Sequence, residues 1–433
     1  MSDFIIQTNT IKDTNTLPSE LQIDSRIIYR DLKEVEKTVQ DIIEKVMQEG
    51  DSGLRELTEQ FDHCQINDFI ISKSELEGAW HHAEPEFQNT IEQIVQTVRD
   101  FHNKQLEHSR CFLRNLSILG EIISPIDSVA TYVPGGRASY PSSVIMTVIP
   151  AQIAGVKNIL LLTPPNSKGE VSSNILAVAH YLGISNIVRA GGAQAIAAIA
   201  FGTESIPRVD KVVGPGNIYV TVAKRLLCGI IGIDSLAGPS EVVVIADEDC
   251  RPDWVALDLL AQTEHDPLSR AILFSTSDEV INQVQEVIQS ELNAHPLPFT
   301  KAVPIYLFKV DNLLAAFEIT NKIAPEHLEL CCTDHLRLLP LIHHAGAIFL
   351  GNGAPVALGD YGYGPNHVLP TMSGSRFSSP LSVRDFLKTS SYIFPQKGDP
   401  TLVYSRYASL AEKEGFFFHR KSLLARISPH DTV

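Results

Sequence analysis

The sequence predicts an α/β protein: two Rossmann-like parallel-sheet domains, a helical N-terminal segment and a helical C-terminal appendage. Three observations lead there. From about residue 126, short apolar runs alternate with amphipathic ones, the rhythm of strands joined by helices, which implies a parallel sheet. The series starts again near residue 241. The first hundred residues and the stretch after 381 lack it and carry helical patterning instead.

Taken in order, residues 1–25 are polar and irregular and read as an arm. Residues 34–49 read as a helix, because Val35, Val39, Ile42, Ile43 and Val46 share one face and Gly50 ends it. Ser74 with Glu77 forms a capping box for the next helix. Phe87, Ile91, Ile94, Val98 and Phe101 mark a longer amphipathic helix after it.

The first alternating series opens with a strand ending at Tyr132-Val133, then Pro134-Gly135-Gly136. Ser142-Ser143 cap a helix that stops near Gly155. A strand over 158–163, a helix near 172–182 and a strand over 186–189 follow, and Gly191-Gly192 opens another helix. The strand at 211–213 leads into Gly214-Pro215-Gly216-Asn217, with Asn217 placed to cap a helix through Lys224.

The second series has strands at 241–246, 271–275, 303–308 and 347–350, with helices at 252–260, near 278–291 and near 311–321. The expected division is an arm at 1–25, one α/β domain from 26–125 with 240–380, a second at 126–239, and a tail at 381–433. The N-terminal helices are expected to pack with the later sheet.

Composition excludes several functions. With a net charge of −16 and no basic cluster, the chain has no electrostatic footprint for nucleic acid. The six cysteines include no Cys-x-x-Cys pair, so they form neither a disulfide framework nor a cysteine zinc site. They read as reduced thiols in a cytoplasmic protein. MSDFIIQTNT has no signal-peptide pattern, and the most apolar stretches, 144–156 and 190–201, are too short and interrupted to span a bilayer.

Several segments carry residues suited to chemistry. Gln262 and His265 lie three apart at the end of a helical run and so share a face. An imidazole with an amide oxygen suggests half of a metal site. The plainer reading is a helix end, with His265 favouring the dipole and Asp266-Pro267 as the stop. In Pro325-Glu326-His327 a carboxylate stands beside a potential general base, although a helix start with Glu in its first turn is as good a reading. In the glycine-rich loop Gly359-Asp360-Tyr361-Gly362-Tyr363-Gly364-Pro365-Asn366-His367, Asp360 suits a third metal ligand and His367 a substrate contact. His419, alone in the tail, reads as a surface or packing histidine. Loops at the carboxyl ends of the first-series strands suit a dinucleotide. G-x-G-x-x-G is absent, and ordinary turn glycines are an equal reading.

Together these segments resemble histidinol dehydrogenases from about residue 30 to 425. The carrying motifs are YVPGGRASYPSSVIM, AGGAQAIAAIAFGT, VVGPGNIYV, GIDSLAGPSEVVVIAD, QTEHDP, IAPEHLEL, GDYGYGPNHVLPT and EKEGFFFH. The resemblance implies oxidation of L-histidinol through L-histidinal to L-histidine with NAD and one zinc ion per subunit. It implies zinc bound by Gln262, His265, Asp360 and His419. It implies His327 as general base and Glu326 as the residue that activates water. Ser240, His367 and Glu414 match substrate-contact positions, which the zinc positions and His327 share. Tyr132, Gln194 and Asn217 match NAD positions, so 126–239 would be the NAD-binding domain. The resemblance also implies a homodimer whose C-terminal segment, with His419 and Glu414, completes the partner's site. After HVLPT the family commonly has Gly-Gly-Thr-Ala-Arg, where this chain has Met372-Ser373-Gly374-Ser375-Arg376. The nearest alternative is a related zinc- and NAD-dependent dehydrogenase of another small alcohol.

Overall fold

The computed structural model describes residues 5–14, 16–22, 25–114, 117–135, 139–264, 266–295, 303–395 and 400–427. Along the chain, β1 (Ile5–Ile11) precedes α1 (Ser25–Glu49), α2 (Asp51–Asp62), α3 (Lys73–His81) and α4 (Pro85–Asn103). Two strands follow, β2 (Arg110–Arg114) and β3 (Ser117–Pro125). The first alternating series is β4 (Ser128–Tyr132), α5 (Pro141–Ala154), β5 (Asn158–Thr163), α6 (Ser173–Tyr181), β6 (Asn186–Arg189), α7 (Gly192–Phe201), β7 (Lys211–Val213), α8 (Ile218–Leu227) and β8 (Gly232–Ile233). The second is β9 (Glu241–Ala246), α9 (Pro252–Thr263), β10 (Arg270–Ser275), α10 (Asp278–Ala294), β11 (Pro304–Val310), α11 (Leu313–Ile323), β12 (His327–Cys331), α12 (His335–Leu338), β13 (Ala347–Leu350) and α13 (Ala357–Asp360). The chain then forms β14 (Leu387–Pro395), α14 (Pro400–Lys413) and α15 (Phe417–Ala425).

The chain divides into two compact units, one of residues 1–105 with 126–386 and the other of 106–125 with 387–433. The larger unit holds two parallel sheets, ordered β6-β5-β4-β7-β8 and β1-β11-β10-β9-β12-β13. Without β1, the second order repeats the first: two strands lie on one side of the opening strand and two on the other. Each sheet therefore has a switch point, between β4 and β7 and between β9 and β12, where a crevice for ligands forms. The likeness between the halves that the sequence shows only as rhythm is one of strand order. Among the described residues no helix is long and apolar enough to cross a membrane.

Alternating burial explains the layers. Val242 and Val244 face α9 and α10, and Val243 and Ile245 face α11, so both faces of β9 are apolar and buried, as in a sheet covered by helices on two sides. The first sheet is covered in part by the N-terminal helices: Val39, Ile42, Val46, Leu54 and Leu57 share a core with Ala130, Leu160 and Ile196. The N-terminal helices thus pack on the first sheet, where the sequence reading groups them with the second.

Four local differences have physical reasons. The polar start is β1, an edge strand in parallel register with β11, where one row of backbone groups needs a partner whatever the side chains. The cap of α3 is Ser72, whose hydroxyl accepts from Glu75 N, two residues before the expected capping box at Ser74. Glu326-His327 starts no helix: Ala324 ends α11 in the left-handed region, and His327 opens β12, which lies between β9 and β13 in the second sheet. The tail is not purely helical. In the smaller unit β14 pairs antiparallel with β3, and β3 with β2, before α14 and α15.

Candidate active site

The carboxyl edge of the first sheet supplies one wall. Tyr132 ends β4, and its buried hydroxyl accepts the backbone N–H of Gly192, the first residue of α7, at 3.1 Å. Burial pushes the phenol up to about 12, so it stays a neutral hydrogen-bonding group. Gln194 lies buried in the first turn of α7. Asn217 caps α8, its side chain accepting from Tyr219 N and Val220 N at 3.1 Å each.

Packing already accounts for the glycines here. A Cβ on Gly191 would lie 2.5 Å from Pro164, and one on Gly214, which has φ +111°, would lie 2.2 Å from the Tyr132 carbonyl oxygen. Lys224 donates to Gly214 O at 2.6 Å and to Asp234 Oδ1 at 2.7 Å, while Gly214 N donates to Asp234 Oδ2 at 2.7 Å. The loop after β7 is thereby fixed from both sides.

The second sheet meets this wall with its amino edge. Ser240 precedes β9 and Glu326 precedes β12, and these two strands flank the switch point. The α9 helix runs back from the carboxyl end of β9 and returns Gln262 to the amino edge. A cavity of about 60 Å³ joins the two walls; Gly214, Pro215, Ser240, Glu326, His367 and Thr371 line it.

Glu241, which the sequence reading does not single out, organises the catalytic candidates. Its backbone N–H donates to Glu326 Oε2 at 3.1 Å, and its carbonyl accepts from His327 Nδ1 at 3.3 Å. A carbonyl can only accept, so the proton sits on Nδ1 and Nε2 keeps the lone pair a base needs. The Glu241 carboxylate is itself held by Arg270. No sequence motif signals this role, because the backbone performs it. Burial raises Glu326 well above the usual carboxyl range; the charges of Glu241 and Asp360 raise it further, opposed by hydrogen bonds from Glu241 N and Ser240.

The glycine-rich loop is anchored as well as polar. Asn366 is buried, donates to Met146 O at 2.6 Å and accepts from Val368 N at 2.9 Å. Beside it, His367 Nδ1 donates to the Asp360 carbonyl at 3.1 Å and lies 4.0 Å from Asp360 Oδ1. Ser143 Oγ stands 3.2 Å from its Nε2. The structure thus brings Ser240, Glu326, His327, Asp360 and His367 together.

Of the four residues matched to zinc, His265 lies outside the described residues, and His419, like Glu414, belongs to the smaller unit. Among the described residues no three His, Cys, Asp or Glu side chains gather as a metal site. Gln262 is buried, and its Nε2 has no hydrogen-bond partner. That NH2 end is a donor and cannot bind a cation, so the fit to zinc rests on the chemistry of the donor set. Amide and carboxylate oxygens with imidazole nitrogens are a donor set that suits zinc. On that donor chemistry the residues present fit the ion. A dinucleotide fits in a narrower way: the switch point opens beside the cavity, while the first N–H groups of α7 and α8 are already taken by Tyr132 and Asn217.

Two doubly wound sheets, the carboxyl edge of one and the amino edge of the other lining a single cavity with a base and a carboxyl beside it, define an α/β fold that carries an acid–base site. The family model for histidinol dehydrogenase matches residues 28–427. A histidinol dehydrogenase of Halalkalibacterium halodurans is 41% identical over 423 residues, 96% of this chain and 98% of that protein. One from Bacillus cereus is 43% identical over 397 residues, 90% of this chain and 92% of its own length. The crystal structure of histidinol dehydrogenase from Elizabethkingia anophelis superposes with a TM-score of 0.88 at 33% identity, covering 97% of this chain and 98% of that one. The chain belongs to the histidinol dehydrogenase family.

Proposed function

We propose that this protein oxidises L-histidinol by way of L-histidinal to L-histidine, with NAD and one zinc ion per subunit, as a cytoplasmic homodimer. The observation that carries the reading is the cavity shared by Gly214-Pro215 of the first sheet with Ser240, Glu326 and His367 of the second. It sets a dinucleotide-type crevice against the acid–base residues of a family member.

When bound, zinc would hold and polarise the substrate's nitrogen and oxygen atoms, with Gln262, His265, Asp360 and His419 as ligands, and NAD would accept a hydride in each oxidation. His327 takes the hydroxyl proton on Nε2, because Nδ1–H is committed to the Glu241 carbonyl. The second oxidation needs water added to the aldehyde. Glu326 takes a proton from that water, and its raised affinity for protons makes it a stronger base once ionised. Ser240, His367 and Glu414 orient the substrate, and Tyr132, Gln194 and Asn217 form the NAD side. Aldehyde retention between the two steps favours a site with several grips on one small molecule.

Exposed apolar side chains on the smaller unit support a dimer. Ile393, Phe394, Leu410, Phe417 and Phe418 are each more than half exposed in the single chain. A second copy would cover such side chains while bringing His419 and Glu414 to its partner's site.

The test is NADH formation from L-histidinol, expected at two equivalents per substrate, abolished by chelation and restored by zinc. NADH from another small alcohol but none from histidinol would replace this substrate with that one. Full activity of metal-free protein would remove zinc from the reading.

A further inference from the structure

The turn that delivers Glu326 and His327 leaves α11 and enters β12 within three residues. Ala324 is left-handed at φ 55°, and Pro325 has no N–H to offer. The last carbonyls of a helix have no partner of their own, and here Ile323 and Ala324 are buried. The segment after Thr371 caps them in succession. Arg376 donates to Asn321 O and Lys322 O at 3.0 and 2.5 Å. Ser373 Oγ donates to Ile323 O at 2.6 Å, and Ser375 Oγ donates to Ala324 O at 2.9 Å. Gly346 N and Ala347 N then take Pro325 O at 3.0 Å and Glu326 O at 2.8 Å. Six consecutive carbonyls, 321 to 326, are thus held.

Ser373 does this in a conformation that costs energy: Met372 and Ser373 have φ 52° and 59°, the left-handed region where side chains are disfavoured. Such strain persists where surrounding contacts over-determine it, and it collects at functional sites. Ser373 has two contacts of that kind. Its hydroxyl holds Ile323, and its backbone N–H meets the carboxylate of Glu241, whose own backbone holds both Glu326 and His327.

We propose that Ser373 and Ser375 are positioning residues for the Glu326–His327 pair, acting through the Ile323 and Ala324 carbonyls. They touch neither substrate nor cofactor. Their hydroxyls fix the turn, and the turn fixes where the His327 ring sits and where the Glu326 carboxyl meets the cavity.

The test uses full-length Ser373→Gly, Ser375→Ala, the double variant and the conservative Ser375→Thr. Glycine keeps the left-handed backbone while removing the hydroxyl, so Ser373→Gly does not add strain. In the double variant kcat for histidinol is expected to fall about tenfold, with KM within about twofold, since misplacement acts on the reacting geometry. Tm should stay near that of the parent, and Ser375→Thr should restore most of the rate that Ser375→Ala loses. The proposal rests on histidinol as substrate, so a second readout avoids turnover. In metal-free, NAD-free protein with nitrogen-15-labelled histidine, the His327 ring resonances, identified by their loss in His327→Asn, should shift in the double variant. An unshifted resonance overturns the proposal, as does unchanged kcat, or a loss of kcat matched by loss of folded protein. If the parent itself does not oxidise histidinol, the substrate reading fails, and the resonance alone decides the positioning role.

Discussion

Lys224 and Asp234 form an ion pair of 2.7 Å with side chains only 2% and 5% exposed. Each partner also binds the backbone of the same residue: Lys224 donates to Gly214 O, and Asp234 accepts from Gly214 N. The pair therefore works as a staple on the loop that forms one wall of the cavity.

Lys224→Met leaves the Asp234 charge buried without its counter-ion, which costs about 3–5 kcal/mol. Urea unfolding should show a loss of that size. Adding Asp234→Asn to the same chain should recover part of it, because the stranded charge is gone. Equal stability of Lys224→Met and the parent would mean that the pair contributes nothing net.

Glu329, on β12 two residues beyond His327, is raised to about 8 from 4.5, by burial first and by the neighbouring Asp258 charge second. The folded protein therefore holds a proton that the unfolded chain releases above about pH 4.5. The stability this group supplies is whole below that pH and is lost as pH rises through about 8. Urea midpoints should fall across that window, and Glu329→Gln, which cannot ionise, should flatten the fall. Identical slopes for the two proteins would contradict the assignment.

His327→Asn removes the proposed base while retaining a side chain able to donate to the Glu241 carbonyl. A rate loss of about a hundred- to ten-thousand-fold is expected for an acid–base residue, with zinc bound per subunit unchanged. Zinc falling in step with the rate would make His327 a ligand.

Much of the larger unit is legible in the sequence because both its sheets are buried on two faces. Glu241–Ala246 and Asn158–Thr163 are nearly unbroken apolar runs, and a parallel strand of that kind needs little else to declare itself. β12 escapes because its sequence, HLELC, mixes polar and apolar residues and follows Ala-Pro-Glu, a pattern equally at home at a helix start. Only its neighbours β9 and β13 make it a strand. β14 escapes for the opposite reason: most of its residues are exposed, so no apolar pattern is required of them. In the site, Glu326 and His327 declare themselves as residue types, whereas Glu241 acts through peptide groups that every residue has. Asn217 is legible as a cap from its place before α8, and that cap is what the structure contains. The Met372-Ser373 departure from the family's usual glycines is visible in the sequence. Its conformational cost follows only from the backbone angles.

The pairing of β1 with β11 changes how the start of the chain should be handled. Seven residues, Ile5 to Ile11, cover the outer row of peptide groups on Pro304–Val310. That strand reads PIYLFKV, which is apolar, β-prone and nearly uncharged. Trimming the first dozen residues as a dispensable leader would open this edge to strands of other molecules, the geometry from which ordered aggregates grow. Shortened protein should therefore scatter light and lose soluble yield even with every residue near the cavity intact, so the polar beginning acts as a gatekeeper against self-association.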